Sequence, residues 1–353
     1  MVQIGYTIPK EAMFLNHSYL SSTTRSLRQH FSEVCHDILD RVSIFPGDYI
    51  LDIGGNDGTF LSILAEQGIN VLNVESSAEQ ARLSDTNGVH SINNFFDNNV
   101  AEEILANKGS AKVIHGSGIF FHLEDLHSVF SGVKLLLDAE GVVVAEFIYL
   151  PEMVRSCAYD QIYHEHLLYY TLRSFESLLQ RHGLTIFDAE LKPIHGGSCV
   201  AYITHIGSTE KTMRLKELEA AESDRGDHEI QVYLDFALRA AEMRIKLRDM
   251  LCNLRSDGNR VQAIGAPVKG TTILNFCGLT EDVVECAIEV NPMKFYTYYP
   301  GTWIPVYPQD EVKEPDIYLL LAWNFKREIL DKLKEFRSMG GKILVPIPEP
   351  RLI

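Results

Sequence analysis

Leu27, Phe31, Val34, Cys35, Ile38 and Leu39 recur at the spacing of one helical face, so the pattern predicts an amphipathic helix behind the cap candidates Ser21 to Arg25. Met1–Pro9 ahead of it reads as extended. After Pro46-Gly47-Asp48 the period changes. Tyr49–Ile53 is a short apolar run ended by glycines, Thr59–Gln67 has helical spacing, and Val71–Glu75 is a second short strand that ends in an acid. Lys112–His115 and Val142–Phe147 predict further strands separated by helical stretches. Strands alternating with helices from 49 to 150 imply an α/β fold with a parallel, doubly wound sheet.

Residues 153–182 break this rhythm with a high density of Tyr, His and Glu. Leu184–Lys192 and Ser198–His205 then read as two paired strands joined through Pro193-Ile194-His195-Gly196-Gly197. From 208 to 257 the chain is charged and helical, with a sparse apolar stripe that fits a connector helix or a partner-facing helix. After Gly258 a second α/β pattern begins: Val261–Ile264 as strand, a glycine turn, a helix, then Val283–Glu289, Ile317–Trp323 and Lys342–Pro346. The organisation expected is a lead-in and helix over 1–45, an α/β unit over 46–207, a connector over 208–257 and a second α/β unit over 258–353.

Length agrees with this division, since 353 residues exceed one typical domain. Lys and Arg number 32 against 48 Asp and Glu, a formal charge of −16, which argues against a nucleic-acid partner but allows a small anion held by a few local cations. The six cysteines form no C-x-x-C pair and read as free thiols of a reducing compartment. No apolar run approaches about 18 residues, so no membrane partner is expected and a cytoplasmic location is the default.

The densest local signal is Asp52-Ile53-Gly54-Gly55-Asn56-Asp57-Gly58-Thr59-Phe60, at a strand-to-helix junction. Glycines let a backbone approach a ligand, and the helix N-terminus offers unpaired N–H groups. A dinucleotide fingerprint counted from Gly54 fails at Asn56 and Thr59. An acid two residues before the first glycine suits S-adenosylmethionine instead, and Glu75, at the next strand end, can bind both ribose hydroxyls. The plain alternative is a tight turn beside an exposed acid. His122, after the third strand and Gly116-Ser117-Gly118, is either a residue of the ligand site or a capping residue; a methyltransferase-like fold would place it near the methyl group.

Tyr159-Asp160-Gln161-Ile162-Tyr163-His164-Glu165-His166 is the second signal. Such groups are not buried without partners, but a cleft can use them for proton transfer and for hydrogen bonding to an enolate oxygen. Adjacent His-Glu-His does not match helical zinc-site spacing, so no metal is assigned. His195-Gly196-Gly197-Ser198 is a tight turn that either brings another imidazole to the site or leaves it solvated. Gly265–Gly270 repeats the strand–glycine–helix arrangement with Lys269, a phosphate seat. Asn291–Lys294, Tyr299–Thr302 and Ala322-Trp323-Asn324-Phe325 add polar and aromatic groups at strand ends.

Together these motifs resemble the S-adenosylmethionine-dependent nucleotide-sugar C-methyltransferases of deoxysugar and surface-polysaccharide pathways. The resemblance runs along nearly the whole chain: Tyr19-Leu20-Ser21-Ser22, Asp52–Phe60, Glu75, Asp160–His166, His195–Ser198, Gly265–Gly270, Tyr299–Ile304, Ala322–Phe325 and Gly340–Pro350. It implies a class I methyltransferase doubly wound sheet followed by a second Rossmann-like α/β domain, with the sugar nucleotide between them. Residues 1–45 would cover the substrate. S-adenosylmethionine would be held by Asp52, Gly54, Asn56, Gly58, Glu75 and His122. The sugar nucleotide, dTDP- or GDP-linked, would be held by His164, His195, Lys269, Tyr299, Trp323 and Asn324. The implied reaction starts from a 4-keto sugar whose neighbouring carbon, C-3, is deprotonated and methylated. His166 would be the base, Tyr163 would hydrogen-bond the enolate oxygen, Glu165 would orient an imidazole or a sugar hydroxyl, and Tyr19 would reach in from the N-terminal segment.

The chain departs from the family in three places. The usual N-terminal zinc-binding cysteine module is missing, since no Cys precedes Cys35, so no zinc is expected. Asp52 and Gly55 stand where relatives often carry Glu and Ser. Phe295-Tyr296 after Asn291–Lys294 leaves the sugar open. Rival readings are a sugar O-methyltransferase, an NAD-linked dehydrogenase and a non-catalytic sugar-nucleotide sensor; a monomer and a homodimer are both compatible with the sequence.

Overall fold

Tyr49–Ile53 is buried along its whole length, as a strand covered on both faces must be. In the computed structural model, which describes residues 1–15 and 19–353, this strand lies inside a mixed sheet, between two parallel neighbours. The described residues form two units, Met1–Pro151 with His164–Asp227, and Glu152–Tyr163 with His228–Ile353.

The first unit carries β1 (Val2–Gln3), β2 (Tyr49–Ile53), β3 (Asn70–Glu75), β4 (Ser91–Asn93), β5 (Ala111–Ser117), β6 (Leu137–Ile148), β7 (Leu168–Tyr169), β8 (Leu184–Lys192) and β9 (Ser198–His205). Its main sheet has the order β4-β3-β2-β5-β6-β9-β8. Strands β2 to β6 run parallel, while β9 is antiparallel to β6 and to β8. Strand order reverses between β2 and β5, so the ligand crevice of a doubly wound sheet opens there, at the carboxyl ends. The helix Arg25–Arg41 forms where its spacing predicts. It buries Leu27, Phe31, Val34, Cys35 and Ile38 against Ile50, Val113 and Val144 of the sheet and Phe60 of the helix Thr59–Ala65.

An ion cluster fixes the C-terminal end of this helix to the β8–β9 hairpin. Asp188 on β8 is buried and takes bonds from Arg41 Nη1 (2.9 Å), Arg214 Nε (3.1 Å) and Thr212 Oγ1 (2.7 Å). The Arg41 guanidinium also lies over the Tyr202 ring, 4.2 Å from its centroid. Burial pushes the Asp188 carboxyl up, but the Arg214 and Thr212 hydrogen bonds and the two guanidinium charges outweigh it and hold the group below the ordinary carboxylate range.

The stretch expected as one connector is two helices parted at Gly226, whose φ of 67° ends the first. Met213–Asp224 belongs to the first unit, where buried Glu222 accepts from Tyr149 Oη (2.8 Å), Leu172 N (2.5 Å) and Arg173 N (3.2 Å). It thereby caps the helix Leu172–Gln180. Ile230–Ser256 belongs to the second unit.

That unit holds β10 (Val261–Ile264), β11 (Ala287–Glu289), β12 (Val306–Pro308), β13 (Ile317–Leu320), β14 (Lys342–Val345) and β15 (Arg351–Leu352), in the order β12-β11-β10-β13-β14-β15. All pairs are parallel except β14 with β15. Two predicted strands are shorter than their apolar runs. Val283 and Val284 turn back to donate to the Thr280 carbonyl, so β11 begins only at Ala287. Trp323–Phe325 winds into a 3₁₀ turn, so β13 stops at Leu320. Among the described residues no helix is long and apolar enough to cross a membrane.

Asp188→Asn should lower the unfolding free energy by about 3 kcal/mol at pH 7, the low end for breaking a buried pair because both arginines are partly exposed. The folded-state pKa is depressed, so the contribution is complete above about pH 4 and is lost as pH falls through the folded value. Urea titrations should therefore show the gap between wild type and variant closing on acidification; a gap that widens would contradict the assignment.

Candidate functional site

The loop between β2 and the helix Thr59–Ala65 is shaped by backbone that ordinary residues avoid. Gly54 (φ 70°) and Gly58 (φ 76°) are left-handed, and so is Asn56 (φ 52°), a residue that tolerates the conformation. A Cβ on Gly55 would lie 2.5 Å from Asn73 Oδ1 and 2.7 Å from Asp52 Oδ2, so no side chain fits there without movement.

Glu75, buried at the end of β3, holds this loop in place. Its Oε2 accepts from Asn56 N (2.9 Å) and its Oε1 from Ser77 N (2.8 Å). The Asn56 side chain in turn carries the lead-in segment. Its Oδ1 accepts from Ser21 N (3.0 Å), its Nδ2 donates to the Tyr19 carbonyl (3.1 Å), and Asp57 Oδ2 accepts from Ser22 N (3.1 Å). Asp52 turns its carboxylate to His115 Nδ1 (2.8 Å), whose ring stacks on Phe60 at 3.7 Å.

Past β5 the chain brings two predicted imidazoles together. His122 Nδ1 donates to the Glu165 carbonyl (2.5 Å), and the His122 and His166 rings lie 5.1 Å apart. His166 is 5% exposed and also meets the Phe121 ring at 4.8 Å. His164 is different: its side chain is 48% exposed, with Nε2 3.9 Å from Glu165 Oε1. Tyr163 closes the segment that belongs to the second unit, and His164 resumes the first. His195 sits in the β8–β9 connection at φ 54°, a conformation that disfavours its bulk.

In the second unit Lys269 Nζ lies 4.7 Å from the Trp323 ring centroid, and Trp323 Nε1 donates to Asp160 Oδ2 (2.6 Å). Burial pushes the Asp160 carboxyl up and the Lys269 ammonium down, each opposed by the charge of the other. Asp160 Oδ1 and Asn324 Oδ1 are buried with no hydrogen-bond partner among the described residues. Tyr299 Oη donates to the Gly265 carbonyl (3.1 Å) and would lie 2.9 Å from a Cβ on Gly270.

Sequence reasoning passed over Glu289 and Glu146. At the end of β11, Glu289 accepts from Ala266 N (2.7 Å), Val290 N (2.7 Å) and Asn291 N (3.1 Å), so it stands to its glycine loop as Glu75 does to Asn56. An acid at a strand end was the available signal. For Glu146 the signal was a lone acid inside the apolar run Val142–Ile148. Among the described residues no three His, Cys, Asp or Glu side chains are placed to hold a metal ion, and the six cysteines are free.

Residues 27–189 match the methyltransferase-domain family, and residues 193–348 match the C-methyltransferase C-terminal-domain family. The C-methyltransferase NovU of Streptomyces niveus is 32% identical over 356 residues, spanning 100% of this chain and 85% of that protein. Among solved structures, PH0226 protein from Pyrococcus horikoshii OT3 aligns with TM-score 0.42 and 16% identity, over 56% of this chain and 98% of its own. Magnesium protoporphyrin IX methyltransferase from Synechocystis PCC 6803 with bound SAH aligns with TM-score 0.40 and 13% identity, over 50% and 83%.

Glu75→Ala removes the acceptor expected for the ribose hydroxyls and leaves Asn56 N and Ser77 N without their partner. It should cost S-adenosylhomocysteine about 1.5–3 kcal/mol of binding, the range for hydrogen bonds to a charged group. Calorimetry that finds unchanged affinity would remove Glu75 from the cofactor site.

Proposed function

The chain belongs to the S-adenosylmethionine-dependent C-methyltransferases, and we propose that its substrate is a nucleotide-linked 4-keto sugar, methylated through an enolate at the carbon beside the ketone, C-3. The observation that carries this reading is the pairing of His166 with His122. Of the imidazoles in the Tyr163–His166 motif, one is turned inward and the other stays half exposed.

The residues around Gly54–Gly58 fit the cofactor. Glu75 is an acceptor suited to ribose hydroxyls, and the left-handed glycines keep side chains off the loop. When bound, S-adenosylmethionine supplies the methyl group as a sulfonium electrophile. The chain's own groups prepare the nucleophile. His166 takes the proton from the carbon beside the ketone, since imidazole accepts protons near neutral pH. Tyr163 donates a hydrogen bond to the oxygen that gains charge, and Glu165 fixes an imidazole or a sugar hydroxyl. Asn56 holds Tyr19 over the loop through the Tyr19 carbonyl. In the second unit Lys269 and the start of the helix Val268–Cys277 suit a diphosphate, and Glu289 suits the nucleotide's pentose by the same arrangement that Glu75 offers the cofactor. Trp323 and Asn324 complete that subsite.

Deuterium exchange tests the enolate step directly. With a 4-keto sugar nucleotide in deuterated water, wild type should exchange the α-proton, and His166→Asn should slow exchange and methylation about 10²–10⁴-fold while cofactor affinity stays the same. His164→Asn should keep near-wild-type exchange. Wild-type rates in His166→Asn would move the base elsewhere, and methylation without exchange at the α-carbon would favour transfer to a hydroxyl oxygen.

A further inference from the structure

Glu146 is an acid as deeply buried as Asp52, on the sheet face that carries Asp52 and His115. It is 2% exposed and projects from β6 directly opposite Ser117 of β5. One oxygen is fully engaged: Oε2 accepts from His30 Nε2 (2.9 Å) and Ser117 Oγ (2.9 Å). The other, Oε1, is buried with no hydrogen-bond partner among the described residues. Native structures seldom leave a buried carboxylate oxygen unpaired, because the desolvation cost is then not offset.

Burial pushes this carboxyl up, yet the His30 hydrogen bond and charge, the charge of His195 and the Ser117 hydroxyl outweigh it and hold the group below its ordinary range. The unpaired oxygen therefore belongs to an anion. Its position is tied to the cofactor loop by register. Asp52 pairs with His115, so Gly54, two residues on, lies level with Ser117, and Ser117 pairs with Glu146. Gly54, Ser117 and Glu146 thus form a row across the carboxyl ends of three neighbouring strands, about 10 Å from end to end at the usual inter-strand spacing. The row is closed by one backbone bond, Gly118 N donating to the Glu146 carbonyl (3.0 Å), and by the Ile119 side chain, which lies 3.1 Å from where a Gly54 Cβ would be.

His30 and His195 already answer the carboxylate's charge, so what Oε1 lacks is an N–H or O–H donor, which a nucleotide's diphosphate cannot supply. S-adenosylmethionine carries two cationic groups. The sulfonium has no N–H or O–H to donate, whereas the α-ammonium has three N–H donors. We propose that Glu146 Oε1 receives the α-ammonium of the cofactor's methionyl end, with Ser117 and His30 fixing the carboxylate for it. The inference rests on the reading of the Gly54–Gly58 loop as the cofactor site, and it adds the residue that recognises the amino-acid half.

Calorimetry on the full chain with two ligands separates the possibilities. S-adenosylhomocysteine has the ammonium, and 5′-methylthioadenosine lacks the amino-acid half altogether. Glu146→Gln should weaken S-adenosylhomocysteine about ten- to a hundred-fold and leave 5′-methylthioadenosine within about two-fold. Equal losses for both ligands would make Glu146 a structural residue and overturn the proposal. So would intact S-adenosylhomocysteine affinity, including the case where only the KM of the sugar nucleotide rises. Wild type binding neither ligand would overturn the loop reading itself, and this inference with it. A measurement on wild type alone serves if the variant does not fold: S-adenosylhomocysteine with its α-amino group replaced by hydrogen should bind at least tenfold more weakly, and equal binding would sink the proposal.

Discussion

A carboxylate buried at a strand end must be given donors, and in this chain the donors are the backbone N–H groups of the loop that the carboxylate supports. Glu75 receives Asn56 N and Ser77 N, and much of the first unit's site follows from those two bonds. With its N–H committed, Asn56 is held in a left-handed conformation that turns its side chain to the lead-in segment. That segment runs into the helix Arg25–Arg41, which brings His30 to Glu146 and is locked at its far end by Asp188. The loop, the lead-in segment with its helix and the buried acid on β6 are thus tied together rather than three separate motifs.

The second unit reaches the same solution with different residues. Glu289 takes Ala266 N as Glu75 takes Asn56 N, and in each case a strand, a glycine loop and a helix precede the acid. The parallel portions of two sheets with unrelated local sequences converge because a strand-to-helix loop leaves N–H groups unpaired and the next strand end is the nearest place for an acceptor. A loop braced in this way is fixed before any ligand arrives, so less ordering is needed on binding.

What was legible in the sequence is what depends on period and on neighbours. The 27–39 face, the glycine loop, Glu75 and the β8–β9 pairing are all local patterns, and each forms where it was expected. Orientation was not legible. Nothing in Tyr163-His164-Glu165-His166 says which imidazole turns inward; that depends on Phe121 and His122, contributed by the segment after β5. Asp52 reads as a loop acid, but its carboxylate is turned to His115, a partner in another strand. Val283–Glu289 reads as one strand, yet Thr280 captures its first N–H groups. Glu146 escaped because a single acid in an apolar run means nothing until Ser117 and His30 are seen beside it.

The same dependence on distant partners explains how a chain of net charge −16 can keep a cation buried in the second unit. Lys269 sits against the Trp323 ring, which donates to Asp160, and the Asp160 charge favours its ammonium form. Burial opposes the charged form of both members, raising the acid and lowering the base, so the pair is poorly compensated by itself, and Asp160 Oδ1 has no hydrogen bond among the described residues. An incoming phosphate would stabilise the ammonium form of Lys269, and sugar or base N–H and O–H donors would meet Asp160 Oδ1 and Asn324 Oδ1. On that reading the second unit's cluster is a half-built network whose remaining partners would come from the ligand. On the reading proposed above, the cost of burying Asp160 and Lys269 would become a source of binding selectivity, because a ligand lacking either the anion or the donors would leave the network incomplete.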